Sequence, residues 1–336
     1  MTLQVSASPH IRDNSSTQRI MLDVVLALLP TIAVSIFVFG MQSLLIILLT
    51  VGSAVFFEYL ARRVMKRYNS ISDLSAIVTG LLLALNLPPT VPFWIPIIGA
   101  FIAIVIVKQM FGGIGNNFVN PAMAARVVLM LSFPTYMTRW AILAQRLHQL
   151  GLGGVVGDTV PGPDMIATAT PLYLLQNPGT ADLPSYLELF VGAKGGTIGE
   201  VSILALAIGA GYLLLRRVIS WQIPVSYIAT VGILIAIGGQ DPLYHILSGG
   251  LFLGAVFMAT DYVTSPLTNK GKLIFGIGCG LITALIRLYG GMTEGVSFSV
   301  LLMNILTPQI DRWTIPQPLG SIRQKKAKEG AASAKG

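Results

Sequence analysis

One threonine in a long polar stretch, and a few carboxylates set in apolar sequence, are the residues of this chain with chemistry to offer. Thr170 closes the run Asp164-Met165-Ile166-Ala167-Thr168-Ala169-Thr170, ahead of Pro171 and behind a turn-rich segment at 157–163. Small residues and hydroxyls around it leave its Oγ accessible, which suits recognition by a modifying enzyme; an ordinary polar turn accounts for the spacing equally well. Asp23, Glu58, Asp241, His245, Asp261, Arg287 and Glu294 stand in or beside apolar runs. Ionisable groups are costly in a membrane and are pathway candidates for that reason. Most of these lie near the ends of runs, where a solvated edge position is expected, and Glu58 and Asp261 are the better pathway candidates because apolar runs adjoin them. His10, His148 and His245 are too scattered for a metal site, and the lone Cys279 excludes a disulfide, a cysteine-ligated zinc or an iron–sulfur cluster within the chain. Redox chemistry here needs another carrier.

The elements that must position these residues follow from composition. Of 336 residues 54% are hydrophobic and only 11% charged, against about 25% charged in a soluble domain. Most of the surface therefore faces lipid. The net charge of +8 falls in short clusters between apolar runs, so it reads as a topological signal and not as a nucleic-acid surface.

A crossing helix needs about 20 apolar residues, and that length divides the chain into about ten spans. Five lie near 20–39, 42–60, 72–87, 92–110 and 118–133, and five near 198–215, 222–238, 244–260, 272–288 and 296–310. The long connection is 134–195. With the N-terminus inside, the outer segments hold only Arg139, Arg146, Lys194 and Arg287 of the 22 Lys and Arg, as positive-inside topology requires. Both termini are then cytoplasmic and the 134–195 loop is external. No signal peptide is expected, because the polar first nineteen residues lack a short apolar core followed by a cleavage site. The Lys-, Ala- and Gly-rich tail at 321–336 reads as disordered.

The chain also repeats. Thr79-Gly80-Leu81-Leu82-Leu83 recurs as Gly249-Gly250-Leu251-Phe252-Leu253, and Lys108-Gln109-Met110-Phe111-Gly112-Gly113 as Ile286-Arg287-Leu288-Tyr289-Gly290-Gly291. Five spans per half make the second half inverted, an arrangement that places a site near the midplane among broken helices. Asn86-Leu87-Pro88-Pro89 and Thr264-Ser265-Pro266 are the expected breaks. The fold expected is an all-α polytopic membrane protein of two inverted five-helix repeats. Its parts are an N-terminal membrane repeat (1–133), an extracytoplasmic loop (134–195), a C-terminal membrane repeat (196–311) and a cytoplasmic tail (312–336).

On the loop motif, and on Asn116-Asn117-Phe118-Val119-Asn120-Pro121-Ala122-Met123-Ala124-Ala125-Arg126, nearly the whole chain resembles the NqrB/RnfD family. Its members are membrane subunits of the sodium-pumping NADH:quinone reductase and of the Rnf ion-translocating electron-transport complex. The resemblance implies that a flavin transferase recognises a motif of the form Asp-x-x-Ser/Thr-small-Ala-Thr and esterifies the last threonine with the phosphate of FMN. Asp164 matches the acid, Thr168 the small position, and Ala169-Thr170 the acceptor pair; Ala167 stands where the family usually has Ser or Thr. It also implies riboflavin as a second flavin, since the glycine pair associated with it aligns with Gly112-Gly113. The implied partners are the flavin transferase and the other Rnf complex subunits (A, B, C, E and G), in a bacterial inner membrane with the flavin loop periplasmic. The implied activity is that of a redox subunit of a ferredoxin/NADH oxidoreductase whose electron transfer is coupled to Na⁺ or H⁺ movement. Five-span inverted repeats also build ammonium and urea transporters, so a passive small-solute permease is the alternative, and a structural scaffold a third.

Overall fold

A computed structural model describes residues 16–68, 70–143, 165–167, 170–176, 183–192, 194–290 and 295–316. The first half contains α1 (Thr17–Phe39), α2 (Met41–Val64), α3 (Ser75–Leu85), α4 (Trp94–Gln109, π-helical from Ile102) and α5 (Pro121–Ser132). The second half contains α6 (Ile203–Leu215), α7 (Gln222–Ile237), α8 (Pro242–Leu247), α9 (Leu251–Leu253, continuing as a π-helix over Gly254–Met258), α10 (Asn269–Tyr289) and α11 (Val296–Thr314). Between the halves, Ala141–Leu143 pairs antiparallel with Met165–Ala167 in register Ala141 to Ala167, so the otherwise helical fold carries one small ribbon.

Helices α1, α2 and α10 are long and apolar enough to cross a membrane. Leu22, Leu26 and Leu29 on α1 recur at helical spacing on an exposed face. In water that face would carry charge; in lipid it is the expected surface. The protein is a membrane protein.

Several helices are too short to cross. The 11 residues of α3 rise about 16 Å, roughly half of a hydrocarbon core about 30 Å thick. The expected break at Asn86-Leu87-Pro88-Pro89 is there, and the carbonyls it frees are taken by another part of the chain. Ile198 N–H donates to Leu87 C=O at 3.0 Å and Gly199 N–H to Leu85 C=O at 2.7 Å. The stretch 194–202 is thus inserted non-helical chain, and the helix expected from 198 begins only at Ile203.

The second expected break, Thr264-Ser265-Pro266, is instead part of the turn that joins α9 to α10. The interruption within the third helical run of this half falls earlier, at Ser248-Gly249-Gly250, where Gly249 takes φ 66°. A left-handed residue ends a helix, and glycine does so without a Cβ penalty.

One hydrophobic core joins the halves, taking in Leu28, Leu83 and Met123 from the first and Tyr227, Phe275 and Val300 from the second. Close backbone approaches serve it. A Cβ on Gly209 would collide with the carbonyl oxygen of Ala27, joining α6 to α1, and one on Gly280 would lie 2.6 Å from Thr230 Cβ, joining α10 to α7. Small residues at such crossings are how membrane helices pack.

Candidate functional site

Polar groups gather at three levels of the molecule. The first is the break at 248–250. Asp241 caps α8, accepting from Leu243 N–H at 2.9 Å and Tyr244 N–H at 3.3 Å. At the other end the freed carbonyls find cations: Lys194 Nζ donates to Leu247 C=O at 2.6 Å, and Arg287 donates to His245 C=O at 2.6 Å and Ser248 C=O at 3.3 Å. Positive charge at a helix C-terminus is favourable. The Tyr186 hydroxyl donates to Asp241, and that bond holds the Asp241 carboxyl below the usual range. The stabilisation is present at neutral pH and is lost as pH falls through the depressed value.

Thr170 sits against this level. It is 7% exposed and opens the short helix Pro171–Gln176, its Oγ1 accepting from Tyr173 N–H at 3.3 Å. Two residues on, Leu172 packs on Gly249, where a Cβ would lie 2.8 Å from Leu172 Cδ1. Asp164, Thr168 and Ala169 lie outside the described residues.

The middle level is a buried network. Arg126 on α5 donates to Asn86 Oδ1 at the end of α3 and stands 3.6 Å from Glu200 Oε1; Asn86 donates to Leu82 C=O at 2.7 Å. Arg126 and Glu200 are each 3% exposed. Asn120 explains the Asn-Pro pair that opens α5: its Oδ1 accepts from Ala122 and Met123 N–H, proline occupies a position whose N–H would be orphaned anyway, and its Nδ2 reaches Met258 C=O at 3.3 Å. Arg126→Met, which removes the guanidinium 3.6 Å from the buried Glu200 carboxylate, should cost about 3–5 kcal/mol. Thermal unfolding in detergent reads this loss, and Arg126→Met/Glu200→Leu should recover most of it.

The third is a cavity of about 380 Å³ between the halves. Val78, Leu82, Val256 and Phe257 give it apolar walls, and Lys108, Asn117 and Asp261 add polar groups. Lys108 Nζ meets Glu58 Oε2 at 2.7 Å and Ser75 Oγ at 2.6 Å. Glu58 is fully buried, and Ser70 donates to its other oxygen at 2.6 Å. Asp261 accepts from Val263 N–H at 3.3 Å and Thr264 Oγ1 at 3.2 Å.

These positions change several sequence expectations. Glu58, His245 and Arg287 are buried, not solvated edges. Glu58 is half of an ion pair, whereas Asp261 stands on the cavity wall. Gly112 and Gly113 adopt φ of 123° and 98° in the turn after α4; a Cβ on Gly113 would meet the Arg62 guanidinium, and one on Gly112 the Asn116 amide. The cavity is lined by their neighbours Ile114, Gly115 and Asn117. Lys108, Arg126, Lys194 and Arg287 are each buried, so none of them is a loop charge that sets orientation. A topological count takes Lys108 and Arg126 as cytoplasmic charges at span ends, although a basic residue in apolar sequence is itself the signal of a buried partner.

A family model described as "NQR2, RnfD, RnfE family" matches residues 4–320. Among curated relatives, the chain is 48% identical over 328 residues to the D-type subunit of the Na(+)-translocating ferredoxin:NAD(+) oxidoreductase complex of Acetobacterium woodii, covering 97% of this chain and 98% of the relative. It is 43% identical to the D-type subunit of the proton-translocating ferredoxin:NAD(+) oxidoreductase complex of Clostridium ljungdahlii, over 95% of this chain and 96% of the relative. It is 42% identical to the D-type subunit of the ion-translocating oxidoreductase complex of Stutzerimonas stutzeri, over 91% and 93%. With the match running from residue 4 to residue 320, the chain belongs to the NQR2, RnfD, RnfE family.

Proposed function

We propose that this chain is the D-type membrane subunit of an ion-translocating ferredoxin:NAD⁺ oxidoreductase, carrying electrons through FMN esterified to Thr170. The observation that carries the reading is full-length similarity to relatives of that name, 48% identity over 97% of the chain. A permease would leave those relatives' oxidoreductase names without a counterpart here. Two relatives are named for different ions, so the coupling is to Na⁺ or H⁺. The partners are the other subunits of the complex and a flavin transferase, in the inner membrane with both termini cytoplasmic, ten crossings in two inverted repeats, and the 134–195 loop periplasmic.

The chain's own residues suit the group. Among the described residues Thr170 Oγ1 serves as an acceptor, from Tyr173 N–H, a role an ester oxygen keeps in weaker form. Since Thr170 is nearly buried while Leu172 rests on Gly249, transfer of the FMN phosphate precedes that docking. The docked segment would then hold the flavin near the break at 248–250. Bound there, FMN supplies an electron carrier that the protein's own side chains lack.

A second flavin of the riboflavin type belongs in the inner cavity. Small-molecule sites measure about 300–1,000 Å³, with mostly apolar walls and a few polar groups, and this cavity of about 380 Å³ has Leu82, Val256 and Phe257 beside Lys108, Asn117 and Asp261. Asp261 is the ion-pathway residue of that wall, and Glu58 acts through Lys108.

Intact mass of the purified subunit should show one FMN adduct, mapping to a peptide within 151–185. Denaturing extraction of the complex should release riboflavin in addition. An unmodified wild-type chain in cells that contain the transferase would sink the assignment to Thr170.

A further inference from the structure

We propose that Lys108 is the terminal proton donor of a relay that joins the inner aqueous rim to the ligand in the cavity, through Glu58 and Ser70 on one branch and Ser75 and Asp73 on the other. The inference rests on the cavity being a flavin site.

An ammonium has three donors. Glu58 Oε2 takes one at 2.7 Å and Ser75 Oγ another at 2.6 Å, while the residue itself lines the cavity. Each neighbour is bonded onward toward the rim. Ser70, half-buried, donates to Glu58 Oε1 at 2.6 Å; Ser75 Oγ donates to Asp73 Oδ1 at 2.5 Å, and Asp73 is also half-buried. Two unbroken hydrogen-bonded paths therefore lead from a nitrogen that is 3% exposed to groups that are half-buried. An ion pair kept for packing alone requires no such exits, and a buried pair is in any case weak evidence for stability.

Other polar groups near Lys108 are Asp261 and Thr260 across the cavity and Arg67, which donates to Gln109 C=O at 3.2 Å. Neither Asp261 nor Thr260 is bonded to Lys108. The carboxylate positioned to return a proton is thus Glu58.

The step moves one proton and no electrons. Electrons reach the flavin from the redox complex, and electron uptake makes a flavin nitrogen more basic. Lys108 Nζ gives that nitrogen a proton. Glu58, ionised in the pair and so without a proton of its own, first takes one from Ser70 and then passes it to Nζ, or Ser75 gives Nζ its hydroxyl proton and recovers one through Asp73; water supplies Ser70 or Asp73 with the replacement.

The test is the rate of proton uptake by the purified complex after rapid chemical reduction, followed with a pH-indicating dye alongside flavin content. Lys108→Arg keeps the positive charge beside Glu58 but cannot release a proton. It should keep its full riboflavin content and slow the cavity-linked phase by about 100-fold, the lower end of a general-acid contribution. Lys108→Met/Glu58→Leu removes both charges together, so it folds without a stranded ion and should slow the same phase as much. Uptake at the wild-type rate in either variant, with riboflavin retained, overturns the relay. A wild-type complex without riboflavin overturns the flavin reading of the cavity instead, and this inference with it.

Discussion

Thr170→Ala should abolish covalent flavin completely, leaving a polypeptide band that is dark under ultraviolet light in a denaturing gel where the wild-type band fluoresces. The expected structural cost is small by comparison. Thr170 opens a helix of six residues and its Oγ1 accepts a 3.3 Å hydrogen bond, and losing such a cap costs about 1 kcal/mol. The subunit should therefore still accumulate and assemble. Thr170→Ser keeps both the acceptor hydroxyl and the cap, and should restore fluorescence at least in part. A fluorescent band from Thr170→Ala would place the flavin on another residue.

Gly209→Leu should abolish the folded subunit. The Cβ of any substituent would collide with the carbonyl oxygen of Ala27, main chain against side chain, with Phe257 closing the far side at 3.1 Å. Neither the carbonyl nor the buried ring is a flexible end that can swing away. α1 and α6 would have to separate, together with the Asp23 contacts to Tyr212 at 2.7 Å and Arg216 at 3.3 Å that fasten the same pair of helices. Overpacking of a tight core commonly costs about 1–3 kcal/mol, and a clash with main chain exceeds that range. Size-exclusion chromatography of a fluorescent fusion reads the outcome. Gly211→Leu, one helical face away with open space around its Cβ position, is the control and should run as wild type.

Much of the fold is legible in the sequence because apolar length is a local property. The apolar runs fall on helices, and Asn86-Leu87-Pro88-Pro89 announces the end of α3 through its prolines. The carbonyls freed there are satisfied by Ile198 and Gly199, more than a hundred residues away, and no local signal at 198 separates inserted chain from the start of a helix. The break at Ser248-Gly249-Gly250 is hidden for a similar reason, since glycine pairs serve packing as readily as turns. Part of the site is legible too. The loop motif singles out Thr170, while its place on Gly249 depends on Leu172 and on tertiary contact. Glu58 stands out as a carboxylate in apolar sequence. Its partner Lys108 lies 50 positions further on and is obscured by its nearness to a turn, where a basic residue is ordinarily a topological marker.

The π-helical turns of α4 and α9 both form walls of the cavity, Lys108 from one and Val256 and Phe257 from the other. A π turn holds one residue more than an α turn. If α4 wound as α-helix through Ile102–Gln109 with the same residues, everything beyond would swing by about 100° around the axis for each residue no longer absorbed. The Lys108 ammonium would then leave Glu58 although neither side chain had changed. The charge pair is specified by residue count as well as by residue type, because the extra residue is what the π turns absorb.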